Sequence, residues 1–360
     1  MAPLVKALAA CPEIESRVCV TAQHRHLLDT VLELFQIEPD HDLDIMAPSQ
    51  TLSAIASRIL LGLEPVLREF QPDVVLVHGD TATASAATLA AYYQKIPVGH
   101  VEAGLRTGDL LAPWPEEGNR RVIAALARVH FAPTPQARDN LLREGIAADA
   151  IHVTGNTVID ALWLVIGRIR ADECLRESLA TQFSFLRPQA RMTLITCHRR
   201  ENFGAGLERI CEAIRRLAAR FPDVDFVYPV HPNPRVCEPV RGALGGIANL
   251  HLIEPQEYLP FVYLMDRSHL LLTDSGGIQE EAPALGKPVL VMRDMTERPE
   301  ALSSGTVALV GTDTATIVEL AARLLESSPA AGASARGASL YGDGRASEQI
   351  VQILQSLGTH

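Results

Sequence analysis

The sequence has 360 residues, of which 47% are apolar, and its formal net charge is -11. This length exceeds what one hydrophobic core usually organises, so two domains are expected, and the negative charge excludes a nucleic-acid-binding protein, which needs a basic face. No run of about 18 uncharged apolar residues occurs and Met1–Ala10 do not form a secretory signal, so we expect a soluble, cytoplasmic protein without membrane association.

The elements of the first half alternate strand and helix. Met1–Leu8 has the pattern of a helix with Pro3 in its first turn, although the first helix of a doubly wound domain should follow a strand. The opening strand and its loop are therefore expected to be missing. Short β-branched runs then predict strands at Arg17–Thr21, Asp73–His78, Pro97–Val101, Val129–Ala132 and Ile151–Thr154, with helices such as Gln50–Phe70 and Thr83–Gln94 between them.

After a helical and then polar stretch, a second series of strands begins. Its predicted members are Met192–Cys197, Asp225–Val230, Leu250–Ile253, Leu270–Thr273, Pro288–Met292 and Val307–Val310. Ser327–Ser339 has the composition of a loop, and Glu348–Leu357 that of a closing helix that crosses back to the first domain. Such βα alternation predicts an α/β fold with two Rossmann-like, doubly wound domains. The first would cover 1–157 plus 344–360, and the second 158–343.

Three acidic motifs follow predicted strands of the first domain, at the sheet edge where α/β proteins bind ligands. They place Asp80 after His78-Gly79, Glu102 in His100-Val101-Glu102, and Glu116 in Pro113-Trp114-Pro115-Glu116-Glu117. Each has a structural alternative, because Asp80 could cap a helix, Glu102 could pair with Arg106, and Glu116 with Glu117 could stabilise a helix dipole. Together they predict clustered carboxylates suited to acid/base chemistry.

Two motifs of the second domain predict contacts with phosphate. His198-Arg199-Arg200 follows the strand Met192–Thr196 at a βα loop. In Asp274-Ser275-Gly276-Gly277 the glycines let the backbone approach an anion at a helix start. Glu281, about one helical turn further on, could accept hydrogen bonds from ribose hydroxyls, and Arg298 could add a positive charge to this site.

Several cofactor motifs are absent from the sequence. No GxGxxG fingerprint or P-loop occurs, which gives a nicotinamide mechanism little support. The six cysteines are scattered without zinc-like spacing, and we expect reduced thiols and no metal. No cofactor is therefore expected.

These residues resemble the non-hydrolysing, bacterial UDP-N-acetylglucosamine 2-epimerases over essentially the whole chain. The matching stretches are His78–Thr81, His100–Gly108, Trp114–Glu117, Thr154–Leu162, His198–Phe203, Pro229–Pro232, Asp274–Ala282 and Arg293–Glu300. The resemblance implies a glycosyltransferase-B-like pair of domains with the active site in the interdomain cleft, and reversible interconversion of UDP-GlcNAc and UDP-ManNAc for polysaccharide biosynthesis.

The resemblance also implies roles for individual residues. Asp80, Glu102 and Glu116 would be the carboxylates at the sugar, and His198 the histidine near the diphosphate. The nucleotide contacts would be Arg199, Gln256, Phe261, Ser275, Gly276, Gly277, Glu281 and Arg298. A homodimer is the expected assembly, as the commonest one.

The chain departs from the family at its amino end. Family members begin with a strand and a Gly-Thr-Arg-Pro-Glu loop that leads to a lysine, and this sequence has neither. A start codon placed too late is the favoured explanation, because loss of a central strand exposes backbone partners. The alternatives to the epimerase are a glycosyltransferase of the same architecture, a hydrolysing epimerase that releases free ManNAc, and a catalytically silent UDP-sugar-binding protein.

Overall fold

The computed structural model describes residues 1–23, 25–47, 50–296, 298–327 and 340–357. These form two compact units. Unit 1 comprises Met1–Ala161 and Tyr341–His360, and unit 2 comprises Leu162–Leu340. The predicted domain boundaries, 1–157 with 344–360 and 158–343, stay a prediction, because a division by packing does not test which segment folds alone. The loop predicted at Ser327–Ser339 lies outside the described residues from residue 328 onward.

The secondary structure alternates strand and helix throughout. In chain order the first elements are α1 (Ala2–Ala9), β1 (Cys19–Val20), α2 (Arg25–Phe35), β2 (His41–Asp42), α3 (Leu52–Phe70), β3 (Val75–His78), α4 (Ala82–Tyr93), β4 (Val98–Val101), α5 (Glu116–Leu126), β5 (Val129–Ala132), α6 (Pro135–Arg143), β6 (Ile151–Val153) and α7 (Thr157–Ala171). The later elements are α8 (Glu173–Gln182), β7 (Arg191–Thr196), α9 (Ala205–Arg220), β8 (Val224–Pro229), α10 (Pro234–Leu244), β9 (Leu250–Ile253), α11 (Tyr258–Arg267), β10 (Leu270–Thr273), α12 (Ile278–Ala284), β11 (Val289–Val291), β12 (Val307–Leu309), α13 (Thr314–Glu326) and α14 (Ala346–Leu357).

All strand pairs of the described residues are parallel. Unit 2 has a six-stranded sheet in the order β12-β11-β10-β7-β8-β9. Unit 1 has a four-stranded sheet, β3-β4-β5-β6, and a separate two-stranded sheet of β1 and β2. Parallel strands joined by helices confirm the predicted α/β class with two Rossmann-like domains. The predicted strands all form, and the two-residue β2 is additional, because so short a polar segment leaves no pattern in a sequence.

The core of unit 2 explains why its strands are nearly continuous apolar runs. Strands covered by helices on both faces bury successive side chains, as Phe226, Val227 and Tyr228 of β8 do. The helix α9 buries one stripe at helical spacing, including Leu207, Ile210 and Ile214, in the same cluster. Each such aliphatic side chain contributes about 1.5 to 3 kcal/mol through burial.

The core of unit 1 joins the two ends of the chain. Leu4 of α1 and Ile350 of α14 are buried in one cluster with Val101 and Phe131 of the sheet. The closing helix α14 therefore packs in the core of unit 1. β3 pairs with β4 and with no other described strand. The expectation of a missing opening strand stays a prediction.

Candidate functional site

The ends of β3 and β4 bring two of the predicted carboxylates together. His78 pairs in register with Val101, so Asp80 and Glu102 each follow the carboxyl end of one of two neighbouring strands. A Cβ atom added to Gly79 would lie 3.5 Å from Glu102 Oε1, which shows that this carboxylate lies over the residue before Asp80. The helix-cap interpretation of Asp80 is wrong. The N-cap of α4 is Thr81, whose hydroxyl accepts a hydrogen bond from Ala84 N at 3.1 Å.

Glu102 has an unusual backbone conformation and a specific partner. Its φ of +64° lies in the left-handed region, which costs a residue other than glycine about 1 to 3 kcal/mol and often marks functional sites. Asn156 Nδ2 donates to Glu102 Oε2 at 2.8 Å. The predicted pairing with Arg106 is wrong, because the Arg106 guanidinium makes two 2.8 Å hydrogen bonds to Glu144 instead. Glu102 is thus held by a neutral amide and not by an arginine.

Helix α5 completes the acidic edge of unit 1. Glu116 is its first residue, and Glu116 Oε2 is buried without a hydrogen-bond donor among the described residues. One turn later, Asn119 Nδ2 donates to the main-chain oxygen of Asp80 at 2.8 Å, and Arg120 Nη2 lies 2.6 Å from Asp80 Oδ2. The structure therefore brings Asp80, Glu102 and Glu116 to one edge of the sheet.

The second glutamate of α5 is buried and hydrogen-bonded within unit 1. Glu117 is fully buried, so its carboxylate is not an exposed group at the helix start. It accepts hydrogen bonds from Arg120 and from the amide of Thr107. Glu116 and Glu117 both lie in the first turn of α5, and their stabilisation of the helix dipole stays a prediction.

Histidines beside these carboxylates are neutral at ordinary pH. Burial lowers the pKa of His78, at the end of β3, and of His100, in β4, to about 3. The His100 ring lies 2.8 Å from the carbonyl oxygen of Gly79 through Nε2. Because both imidazoles are neutral at neutral pH, neither adds a positive charge beside these carboxylates.

In unit 2, the loop after β7 is anchored on one buried carboxylate. Asp274, which follows β10, is completely buried and accepts hydrogen bonds from His198 N at 2.9 Å and Arg199 N at 2.8 Å. Asn202 Nδ2 donates to the same oxygen at 3.0 Å. The Asp274 side chain thus fixes the main chain of the segment that carries His198 and Arg199.

His198 and Arg199 have the chemistry of an anion contact. Burial lowers the pKa of His198, an effect that Asp274 opposes and that Arg199 and His231 reinforce. The His198 and His231 rings stack with their centroids 5.7 Å apart. Arg199 Nε is buried and has no acceptor among the described residues. A buried cationic donor without an acceptor can bind an oxygen of an anion.

The glycine segment before α12 exposes backbone donors. Among the described residues, the amides of Gly276 and Gly277 have no hydrogen-bond acceptor. The amide of Ser275 is already used, because it donates to Thr273 Oγ1 at 3.0 Å. These two glycine amides are therefore available to a ligand.

A buried acid of α12 is hydrogen-bonded to a tyrosine at the start of α11. Tyr258 donates to Glu281 Oε1 at 2.6 Å. Burial raises the pKa of Glu281 to about 7, and the hydrogen bond from Tyr258 lowers it against that effect. Glu281 can therefore accept a hydrogen bond from a hydroxyl, and its ionisation falls within the neutral range.

The remaining predicted contacts of unit 2 already have partners within the protein. Arg298 forms a buried ion pair with Glu280. Gln256, just before α11, accepts from Gln182 Nε2 at 3.0 Å, and Phe261 lies one turn into α11 and is half-buried. The roles of these residues in nucleotide binding stay predictions.

Sequence reasoning missed the residues that hold the site in place. Asn156, Arg120 and Asp274 each contact a predicted site residue, yet none was assigned a role. Asp274 had a usable signal, since it is an acid directly after an apolar strand. Arg120 and Asn156 had none, because their partners Asp80 and Glu102 are far away in the sequence.

Within the part of the chain that the structure describes, no helix is long and apolar enough to cross a membrane. Comparison with known sequences identifies a family over nearly the whole chain. The family model described as UDP-N-acetylglucosamine 2-epimerase matches residues 6–355. The UDP-N-acetylglucosamine 2-epimerases of Yersinia pestis and Escherichia coli K12 are 59% and 58% identical over 356 residues, which are 99% of this chain and 95% of each relative.

A solved structure extends this similarity to three dimensions. It is the crystal structure of UDP-GlcNAc 2-epimerase from Neisseria meningitidis bound to UDP-GlcNAc, with a TM-score of 0.93 at 52% identity. The match covers 99% of this chain and 96% of that one. The predicted glycosyltransferase-B-like fold class is confirmed by this similarity. The chain therefore belongs to the bacterial, non-hydrolysing UDP-N-acetylglucosamine 2-epimerase family.

Proposed function

We propose that this protein interconverts UDP-N-acetylglucosamine and UDP-N-acetylmannosamine by inverting C2 of the sugar. The observation that carries the proposal is the meeting of Asp80, Glu102 and Glu116 at one sheet edge in a chain of this family. Relatives named UDP-N-acetylglucosamine 2-epimerase, one of them bound to UDP-GlcNAc, support the choice of substrate.

The chemistry explains why carboxylates are needed. The C2 proton of the sugar is not acidified by a neighbouring carbonyl group, so a direct abstraction and return is unfavourable. Elimination of UDP from C1 breaks the C1–O bond as a base removes the C2 proton, and the product is 2-acetamidoglucal. Re-addition of UDP with delivery of a proton to the opposite face of C2 gives the epimer. Such proton transfers need a base and an acid, each contributing about 10²- to 10⁴-fold.

The groups of unit 2 suit the departing nucleotide. We assign the diphosphate to His198, Arg199 and the amides of Gly276 and Gly277. Arg199 Nε and the two glycine amides have no acceptor among the described residues, and such donors stabilise the charge that develops on the leaving group. Glu281 would accept a hydrogen bond from a ribose hydroxyl. Ser275, Gln256, Phe261 and Arg298 are proposed as further nucleotide contacts.

The assembly, location and small-molecule partner of the enzyme are proposed as well. A homodimer is the proposed assembly and the cytoplasm the proposed location. UDP-GlcNAc is the proposed small-molecule partner, and the reaction as written requires no cofactor.

One experiment separates this function from its alternatives. The protein is incubated with UDP-GlcNAc in deuterated water, and the products are followed by proton NMR. We expect UDP-ManNAc with deuterium at C2. Free ManNAc with UDP would identify a hydrolysing enzyme, and turnover that requires an added acceptor, without exchange at C2, would identify a glycosyltransferase. Binding of UDP without exchange would identify a silent binding protein.

A further inference from the structure

We propose that Arg120 and Glu117 form a positioning relay that holds the Asp80 carboxylate for proton transfer. This inference rests on the proposed function, in which Asp80 acts at C2 of the sugar. The relay consists of Glu117, Arg120 and Asp80, all in unit 1. Neither Arg120 nor Glu117 is assigned a contact with substrate.

The guanidinium of Arg120 joins two carboxylates through different nitrogens. Nη1 donates to Glu117 Oε2 at 3.1 Å and Nη2 lies 2.6 Å from Asp80 Oδ2. Since the guanidinium is a rigid planar fork, fixing one nitrogen also fixes the direction of the other. The Arg120 side chain is only 6% exposed, so little water competes for these contacts.

Glu117 has the properties of a fixed base for this fork. Its carboxylate is fully buried, and an isolated buried charge would be costly unless it were paired and hydrogen-bonded. Besides Arg120, it accepts from the amides of Thr107 at 3.2 Å and Gly108 at 3.4 Å. Glu117 thereby links α5 to the segment that follows Glu102.

The main chain of Asp80 is held by the same helix. Asn119, directly before Arg120, donates to the Asp80 carbonyl oxygen at 2.8 Å. Two consecutive residues of α5 therefore fix the backbone and the side chain of Asp80. A proton-transfer group has to be aligned with its target, and a displacement of about 1 Å can cost about 100-fold in rate. This is the reason to hold Asp80 by a relay instead of leaving it to solvent.

The test is a double-mutant cycle on turnover of UDP-GlcNAc. We expect Arg120→Met to lower kcat by about 100-fold while KM changes little, because the relay acts on the reacting group. In an Asp80→Asn background, Arg120→Met should lower kcat by no more than about two-fold, because a residue that acts only through Asp80 has nothing left to position. An equal loss in both backgrounds, or a normal kcat for Arg120→Met, would overturn the relay.

Three further arms protect the test from a folding defect. Arg120→Lys keeps a charge and should recover part of the lost kcat. Arg120→Ala should be rescued by guanidinium chloride and not by sodium chloride at the same ionic strength. Arg121→Met is the matched control, since Arg121 is the next residue of α5, also contacts Glu117 at 3.4 Å, and pairs with Glu144 instead of Asp80. It should keep the wild-type kcat, and a loss equal to that of Arg120→Met would contradict the relay.

The failure of the proposed function has a separate signature. If the wild-type protein gave no product, the proposed function would fail, and the same cycle would be read from Tm. Non-additive Tm shifts for Arg120→Met and Asp80→Asn would then support the pairing of the relay, and additive shifts would overturn it.

Discussion

Replacement of Asp274 tests whether one buried carboxylate holds the loop that carries His198 and Arg199, the proposed phosphate contacts. One of its oxygens, Oδ2, accepts from His198 N, Arg199 N and Asn202 Nδ2 at distances of 2.8 to 3.0 Å. Asp274→Ala removes the acceptor of both main-chain amides, whereas Asn202 Nδ2 keeps its hydrogen bond to the main-chain oxygen of Met292 at 3.1 Å. Asp274→Asn keeps a neutral oxygen that can take the same position. The two variants therefore separate the loss of an acceptor from the loss of a charge.

The magnitude follows from the hydrogen bonds. A donor left unsatisfied costs about 1 to 3 kcal/mol, and a hydrogen bond to a charged group contributes about 1.5 to 3 kcal/mol. His198 and Arg199 are partly exposed, so water replaces part of what is lost. We expect Asp274→Ala to lower the free energy of unfolding by about 3 to 5 kcal/mol, and Asp274→Asn by about half as much. Both should lower kcat/KM, because the proposed anion contacts of His198 and Arg199 are displaced.

Urea denaturation and steady-state kinetics check this prediction. Asp313→Ala is the matched control, because Asp313 also accepts from a main-chain amide, Thr316 N at 2.8 Å, but is an exposed cap of α13. Its loss should cost about 1 kcal/mol and leave kcat/KM unchanged. An Asp274→Ala variant as stable as Asp313→Ala, or one with wild-type kcat/KM, would refute the reasoning.

Three further predictions concern other parts of the chain. Gly104→Ala should lower the free energy of unfolding by about 3 to 5 kcal/mol in urea denaturation, since φ is +89° and the new Cβ would lie 2.2 Å from a main-chain oxygen of α6. Gly108→Ala is the control, because Gly108 has a similar φ of +86° but nothing within 4 Å of the added Cβ. It should lower the free energy of unfolding by only about 1 kcal/mol. Burial lowers the pKa of His130 to about 4, so the unfolded state binds the proton first and stability falls as pH drops from about 6.5 towards 4. His130→Leu should reduce this loss by about 1.4 kcal/mol per pH unit, and equal pH dependence in both proteins would contradict it. Tyr258→Phe removes the hydrogen bond that lowers the pKa of Glu281, so the acid limb of UDP affinity, measured by calorimetry, should move to higher pH; an unmoved limb would argue against Glu281 as a ligand.

The sequence was sufficient to predict the fold and the place of the candidate residues at the ends of its strands, because both depend on local pattern. Apolar runs followed by helical stretches identify the strands, and polar residues at their carboxyl ends identify the edge that carries Asp80 and Glu102. The left-handed conformation of Glu102 left no trace in composition, since only the folded loop imposes it.

The partners of the site residues could not be predicted, because they depend on tertiary placement. Arg106 is four residues from Glu102 in the sequence, yet it pairs with Glu144. Asp80 likewise pairs with Arg120, although a whole helix and a whole strand separate the two residues in the sequence. Proximity along the chain does not predict ion pairs where a loop follows a parallel strand. The element that lies beside such a loop in space comes from a distant part of the sequence.

The proposed assignment of chemistry to unit 1 and nucleotide binding to unit 2 predicts that the two kinds of defect are separable. UDP lacks the N-acetylhexosamine of the substrate, so its affinity should depend on groups such as Arg199 and Glu281 and not on the acids of unit 1. The amide variants Asp80→Asn, Glu102→Gln and Glu116→Gln should therefore bind UDP as the wild type does in calorimetry. One or more of these variants, including the one that replaces the catalytic base, should lose about 10²- to 10⁴-fold in turnover. Near-normal turnover in all three variants, or a loss of UDP affinity that parallels the loss of turnover, would show that these carboxylates do not act at the sugar.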